Sequence, residues 1–203
     1  MNIDHIRAIA EKNMKKRRTH REREAGFVYY HGQRVANGVI ALRKRITDDA
    51  FHDDILRCAA MFHDVCKGYT DHSNTGAALA PVLLSGELND QEMREVCRLI
   101  GAHDHRAPGT GTWDVWAQLL QDADLLDHFG TLETWINFHY YAYEGGDIQE
   151  SVEFYKNEFF DEAAKHRKKL NFEESIRIFD EKVTFARAFY ERMRIEAQGK
   201  YVI

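Results

Sequence analysis

The sequence predicts an all-α fold, and three observations carry that prediction. Apolar residues recur at three- and four-residue spacing along nearly the whole chain. No stretch of any length alternates apolar and polar residues with a period of two. Candidate caps and glycine-bearing loops fall where the helical patterns stop, and there are only 2 prolines in 203 residues.

The elements follow in order. Ile3, Ile6, Ala10 and Met14 mark a first amphipathic helix, which the pattern extends into the basic stretch Lys15-Lys16-Arg17-Arg18. A second helix covers about 27–46, with Phe27, His31, Val35, Val39, Leu42 and Ile46 on one face. Thr47-Asp48-Asp49 reads as the start of a third, with an N-cap hydroxyl and acids in the first turn. That helix carries Phe51, Ile55, Cys58, Ala59, Phe62 and His63, with Lys67 at or just past its last turn and Gly68 at the C′ position. A short loop, 69–72, precedes a small-residue helix over 74–84, which Gly86 closes. Asn89-Asp90-Gln91-Glu92 has the form of a capping box. It opens a helix with Met93, Val96, Cys97, Ile100 and His103 on one side. The segment 106–111 is the clearest loop, and Thr112 is the expected cap of a helix bearing Trp116, Leu120, Ala123, Asp124 and Asp127. Residues 131–200 divide into three further helices, with breaks near Gly145-Gly146 and Leu170-Asn171. The last runs from Phe172 to about Ala197 behind the stripe Ile176, Phe179, Val183, Ala186, Phe189 and Met193. The expected organisation is one all-α domain over 1–203, with a motif-bearing core at about 27–130 and C-terminal helices over 131–200.

Composition narrows the functional classes. A chain of 203 residues with 44% hydrophobic and 30% charged residues buries a sizeable core. It has no apolar run long enough to span a bilayer. The N-terminal segment has no apolar h-region or cleavage site of a secretory signal, and the expected location is cytoplasmic. Cys58, Cys66 and Cys97 are odd in number and form no C-x-x-C pair, as expected of reduced thiols. A net charge of −5 gives no global case for nucleic-acid binding. The segment 12–23 holds seven Lys or Arg, but Glu11, Glu22 and Glu24 make it read as a solvated helix face rather than an anion-binding arm. In the aromatic-rich segment, Phe138, Tyr140, Tyr141, Tyr143, Phe154, Tyr155, Phe159 and Phe160 are expected mostly in the core.

Histidine, with 11 copies, stands out by position. His31, His63, His103 and Asp124 each lie on the apolar face of a separate helix, and Asp64 adjoins His63. A buried carboxylate is costly unless paired or bound to a metal. A lone buried histidine is usually a hydrogen-bonded core residue. Several on neighbouring helices are what a bundle needs to hold a divalent cation at its centre. Neutral imidazole and carboxylate donors suit Zn²⁺, Mn²⁺, Fe²⁺ or Ni²⁺, and the absence of thiolates argues against a structural zinc site.

The order His31 … His63-Asp64 … Asp124 resembles the H…HD…D signature of the HD-domain superfamily of metal-dependent phosphohydrolases. His31-Gly32-Gln33-Arg34-Val35 is similar to its H-x-x-R-V element, and Ala60-Met61-Phe62-His63-Asp64-Val65-Cys66-Lys67-Gly68 to its A-x-x-HD-x-x-K-G element. Asp71-His72-Ser73-Asn74-Thr75-Gly76-Ala77 resembles the D-H-S-x-x-G-A continuation, and Leu120 to Asp127 the last motif helix. The likeness covers about 27–130. It implies a multi-helix bundle with a metal site at its centre, and His31, His63, Asp64 and Asp124 as ligands of one divalent metal (Mn, Fe, Ni, Mg or Zn). Some branches hold a second metal, for which His72 and His103 stand ready with Asp64 as bridge and His105 as an extra. Those branches have two adjacent histidines, whereas here Asp104 separates His103 from His105. Metal-activated water would attack phosphorus, with Asp64 and Lys67 as the catalytic residues. Lys67, Arg34, His72 and Arg106 would bind substrate, and Asp127 would orient a ligand. The expected partner is a small phosphorylated substrate, in the first place a nucleotide, with no membrane or nucleic-acid partner. Two alternatives stand beside this: a di-iron oxygenase similar to myo-inositol oxygenase, using the same six-ligand set, and a non-catalytic metal-binding helical module.

Overall fold

The structure, a computed structural model, describes residues 1–201. Among them are ten α-helices and no strand. They are α1 (Ile3–Met14), α2 (Phe27–Ile46), α3 (Asp53–Phe62), α4 (His72–Leu83), α5 (Asp90–Ala102), α6 (Val115–Asp127), α7 (Thr131–Glu144), α8 (Ile148–Phe154), α9 (Phe160–Arg167) and α10 (Glu173–Glu196). A π-helical turn, Tyr155–Phe159, joins α8 to α9. The 131–200 region is therefore the three helical rods expected, the middle one interrupted by the π turn. None of the described helices is long and apolar enough to cross a membrane.

The central helix α2 packs on α3 and α6, α4 lies along α5, and α5 also meets α3. One hydrophobic core runs through these helices and continues into α10. Gly32 allows α2 and α3 to touch: a Cβ there would sit 2.9 Å from the Met61 carbonyl oxygen. The close approach brings His31, one residue earlier, against the end of α3. Buried Asp122 joins α6 to α10, accepting from the backbone N–H of Asn171 (3.0 Å) and Phe172 (3.2 Å) and capping the long helix from a distance.

Several expected boundaries shift. Helix α1 stops at Met14 and does not enter the basic stretch. Arg17 instead turns inward, its guanidinium donating to the carbonyls of Val65 and Lys67 (3.1 Å for the latter), while Gly26 N–H returns to Arg17 O at 2.7 Å. Thr47 does not open α3; it ends α2 in extended conformation. Its hydroxyl accepts from Asp49 N–H and the Asp49 carboxylate from Phe51 N–H, so these polar groups cap loop turns, and Phe51 is 80% exposed. Helix α6 is capped by Asp114, which accepts from Ala117 N–H at 3.0 Å, whereas Thr112 bonds Thr110 within the loop. The capping box at Asn89 and Glu92 forms as expected. Of the eight aromatics expected mostly in the core, only Tyr155 and Phe159 are buried; Tyr140 and Tyr143 are exposed. The cause is α7, an outer helix with Asn137 as its one buried residue.

Candidate metal centre

Five helices converge on one polar point inside the apolar core. His31 comes from the second turn of α2, His63 from the residue that ends α3, and Asp64 from the turn beyond it. His72 opens α4, His103 closes α5, and Asp124 lies in the last turn of α6. His31, His63, Asp64, His103 and Asp124 are all buried, and His72 is half-buried.

The imidazoles are oriented from behind. His31 Nδ1 lies 2.7 Å from Asp127 Oδ2, His63 Nδ1 2.7 Å from Ala60 O, and His103 Nδ1 2.7 Å from Ile100 O. Each acceptor fixes the ring proton on Nδ1, so the neutral ring turns an Nε2 lone pair toward the centre. These lone pairs face one another: His31 Nε2 is 3.1 Å from His63 Nε2, and His72 Nε2 is 3.2 Å from His103 Nε2. Asp64 spans the two pairs. Its Oδ2 lies 3.8 Å from His63 Nε2 and 3.9 Å from His31 Nε2, while its Oδ1 lies 3.2 Å from His72 Nε2 and 3.6 Å from His103 Nε2. Asp124 Oδ1 completes the first set at 3.1 Å from His31 Nε2 and 3.5 Å from His63 Nε2.

This donor set fits a cation. Opposed lone pairs at hydrogen-bond distance need a proton or a metal between them, and Asp64 Oδ1 is buried with no hydrogen-bond partner among the described residues. Groups of ligand atoms close enough to share an ion recur in the combinations His31–His63–Asp64 and Asp64–His72–His103. Electrostatics report the same demand. Burial opposes the charges of Asp64 and Asp124, yet the surrounding histidines, with Lys67 beside Asp64, hold both carboxyls well below the usual range. Burial also opposes protonation of His31, but Asp124, Asp127 and Asp64 outweigh it and push the ring up to about 9.

The cationic residues divide by position. Lys67 Nζ stands 3.4 Å from both Asp64 Oδ1 and His72 Nε2, with a third of its side chain exposed. Arg106 Nη2 reaches Asp124 Oδ2 at 2.5 Å. Arg34 turns to Asp127, with Nε 2.9 Å from Oδ1 and Nη2 2.9 Å from Oδ2, behind His31 rather than beside Asp64. His105 is exposed and lies away from the cluster, with its Nε2 3.5 Å from Ser73 Oγ. The sequence reading missed His128. Its Nε2 is 3.6 Å from Asp124 Oδ1, its ring is 4.7 Å from that of His31, and it forms a third ligand group with His31 and Asp124. The available signal was its place four residues after Asp124, one helical turn along.

Among curated proteins none shows significant sequence similarity to this chain. Solved structures of the same fold are available for comparison. An HD-superfamily hydrolase from Bacillus thuringiensis superposes with a TM-score of 0.69 at 18% identity, over 98% of this chain and 97% of that one. A predicted HD superfamily hydrolase from an uncultured Thermotogales bacterium gives 0.66 at 19%, over 95% and 91%. Bacillus subtilis YpgQ, solved in complex with ADP, gives 0.65 at 17%, over 94% and 92%. Identities this low show shared architecture. The family model described as the HD domain matches residues 28–129, from the second residue of α2 to just past α6, and so takes in half the chain and every residue that lines the centre. The chain belongs to the HD-domain family.

Proposed function

We propose that this protein is a metal-dependent phosphohydrolase that cleaves a phosphoester or phosphoanhydride of a nucleotide or other small phosphorylated metabolite. The observation that carries the proposal is Asp64, one buried carboxylate set between two facing pairs of imidazole nitrogens, with Lys67, one third exposed, beside its Oδ1. In this reading His31, His63, Asp64 and Asp124 would hold one divalent metal, and His72 and His103, with Asp64, would hold a second. A bound divalent cation lowers the pKa of water toward neutrality and polarises a phosphoryl oxygen. The remaining work belongs to the chain's own groups. Asp127, Ala60 O and Ile100 O keep the three imidazoles turned inward. Lys67 sits where an ammonium meets both Asp64 and an approaching phosphoryl group, and so offsets charge that develops in the transition state. Arg106, whose Nη2 is taken by Asp124 Oδ2 and Gln121 O and whose Nη1 reaches Asp104, keeps its second Nη1 hydrogen for the same anion. Arg34 acts from behind, through Asp127.

The nucleotide preference draws on YpgQ, which was solved with ADP. Three free thiols, two of them buried, suit the cytoplasm as its location. The test is release of phosphate or pyrophosphate from nucleotides, sugar phosphates and cyclic nucleotides with Mn²⁺, Mg²⁺, Ni²⁺ or Fe²⁺, run beside Asp64→Ala and Lys67→Met. Turnover that Asp64→Ala abolishes, and that Lys67→Met lowers while metal binding persists, supports the reading. Silence on every substrate and metal, with oxygen uptake by the iron-loaded protein, would replace it with O₂ chemistry on the same six ligands.

A further inference from the structure

Behind His31, on the ring edge opposite Nε2, α2, α6 and α10 wall a cleft of about 300 Å³. That is the lower end of the volume range of small-molecule sites. Leu42, Leu126 and Ile178 give it an apolar side, and Arg34, Arg45 and Lys182 give it a cationic rim. Gly38 lies against open space: none of the described residues comes within 4 Å of where its Cβ would be.

The rim carries more positive charge than its acids balance. Lys182 Nζ donates to Leu126 O (2.8 Å) and Phe129 O (3.3 Å), carbonyls at and just past the end of α6. Among the described residues it has no carboxylate partner, and burial pulls its pKa down. An ammonium has three donors, so one remains for a ligand. Arg45 reaches Glu174 at 2.7 Å, but Arg177 engages the same carboxylate through Nε (3.0 Å) and Nη2 (2.7 Å). Arg34 spends Nε and Nη2 on Asp127 and keeps Nη1. Asp127, the one acid among the described residues that line the cleft, is itself shared with His31. With Glu174 matched by Arg177, three cations face one carboxylate. The surplus suits a phosphate monoester, whose charge near neutrality is about −1.5 to −2.

We propose that this cleft binds the phosphate of a small organic phosphomonoester, at a site separate from the metal centre, with the phosphate on Lys182, Arg45 and Arg34 and the organic body over Gly38 and Leu42. The proposal stands on the cleft itself and holds whether or not the metal centre hydrolyses phosphate compounds.

Calorimetric titration of metal-loaded protein with AMP, ribose 5-phosphate and inorganic phosphate tests it. The proteins compared are the parent, Asp64→Ala, Gly38→Glu and Lys182→Gln. Gly38→Glu fills the open space with a carboxylate and replaces a helix glycine with a better helix former, so the fold is kept. The expected result is saturable binding of at least one organic phosphate that survives Asp64→Ala and weakens about ten-fold or more in Gly38→Glu. The stronger of AMP and ribose 5-phosphate identifies the organic body, and inorganic phosphate alone should bind more weakly. Should Gly38→Glu melt early, Lys182→Gln gives the same reading. Binding lost in Asp64→Ala and unchanged in Gly38→Glu and Lys182→Gln would send the ligand to the metal centre and overturn the proposal, as would no saturable binding by any of the three.

Discussion

Asp127→Asn tests whether the centre is held from behind. The substitution keeps shape and changes one oxygen into an NH₂. In the parent, Oδ2 accepts from His31 Nδ1 at 2.7 Å and from Arg34 Nη2 at 2.9 Å, and Oδ1 accepts from Arg34 Nε at 2.9 Å. Arg34 Nε also lies 3.1 Å from Oδ2, so an amide would leave all three donors to one oxygen and set its NH₂ against the guanidinium. With its oxygen toward His31, its NH₂ faces Arg34 Nε, donor against donor. Turned over, the NH₂ forces His31 to accept on Nδ1, and the ring proton moves to Nε2, the atom that faces the centre. Loss of such an outer partner typically lowers metal affinity or activity about 10- to 100-fold, which is about 1.4–2.8 kcal/mol. The assay is equilibrium competition for Mn²⁺ or Zn²⁺ against a fluorescent chelator, with circular dichroism to confirm the helices. The conflict lies between the amide and Arg34, so Asp127→Asn combined with Arg34→Leu should regain much of the lost affinity, a non-additivity expected of direct neighbours. Parent-like metal affinity in Asp127→Asn, or a further loss in the double variant, would refute the reasoning.

Three further outcomes follow from the packing and the charges. Gly32→Ala sets a Cβ 2.9 Å from Met61 O and 3.2 Å from Ala60 O, so α2 must withdraw from α3. It should lower stability by about 1–3 kcal/mol and weaken metal binding together, and a parent-like melting temperature would count against the close approach. Burial raises the Glu133 carboxyl from 4.5 to about 7 against the opposing hydrogen bond from Tyr155, and Oε2 has no partner among the described residues. A folded-state value above the unfolded one gives stability that is full below about pH 4.5 and lost as pH rises through 7. Glu133→Gln should therefore match the parent near pH 4.5 and exceed it by about 1–2 kcal/mol at pH 8, with the shift discounted for partial exposure; equal melting curves at both pH values would refute the assignment. Removing metal with a chelator should lower the melting temperature, since a ligand at 100 times its dissociation constant adds about 2.7 kcal/mol; a melting temperature indifferent to chelation and to added Mn²⁺ or Zn²⁺ would mean the cluster holds no ion.

What the sequence made legible was periodic or local. Helix α2 runs over the expected 27–46 because its apolar stripe is long and Thr47 breaks it in extended conformation. The capping box at Asn89 and the start of α10 after Phe172 were equally plain, since both signals lie within a few residues. The inward polar residues could be picked out because each interrupts an apolar stripe, and the structure brings His31, His63, His103 and Asp124 to one point. What failed was choice between neighbouring caps. Thr47 and Thr112 are good cap residues, and both are engaged in loop turns instead, which local preference alone does not decide. Long-range roles left no local mark. Arg17 looked like one basic residue among seven, and its carbonyl partners lie 48 and 50 positions away. His128 caps the C-terminal end of α6, where a half-exposed histidine looks ordinary until His31 is seen beside it.

The adjacency of His63 and Asp64 has a backbone explanation. Successive residues of an α-helix point about 100° apart, so neighbours cannot both face one centre from inside a regular helix. Helix α3 therefore ends at Phe62. Beyond it Val65 N–H bonds Phe62 O and Lys67 N–H bonds Asp64 O, each at 2.9 Å, in tight three-residue steps. That tightening carries Asp64 round beside His63, and Lys67 back onto Asp64. A helix end leaves carbonyls without partners, and here the turn is buried at Val65 and Cys66, out of reach of water. The Arg17 guanidinium supplies the missing donors to Val65 O and Lys67 O. The break in α1 after Met14 and the break in α3 after Phe62 are thus one feature. The first helix stops so that its next residues can hold open the turn that lets two adjacent side chains reach the same centre.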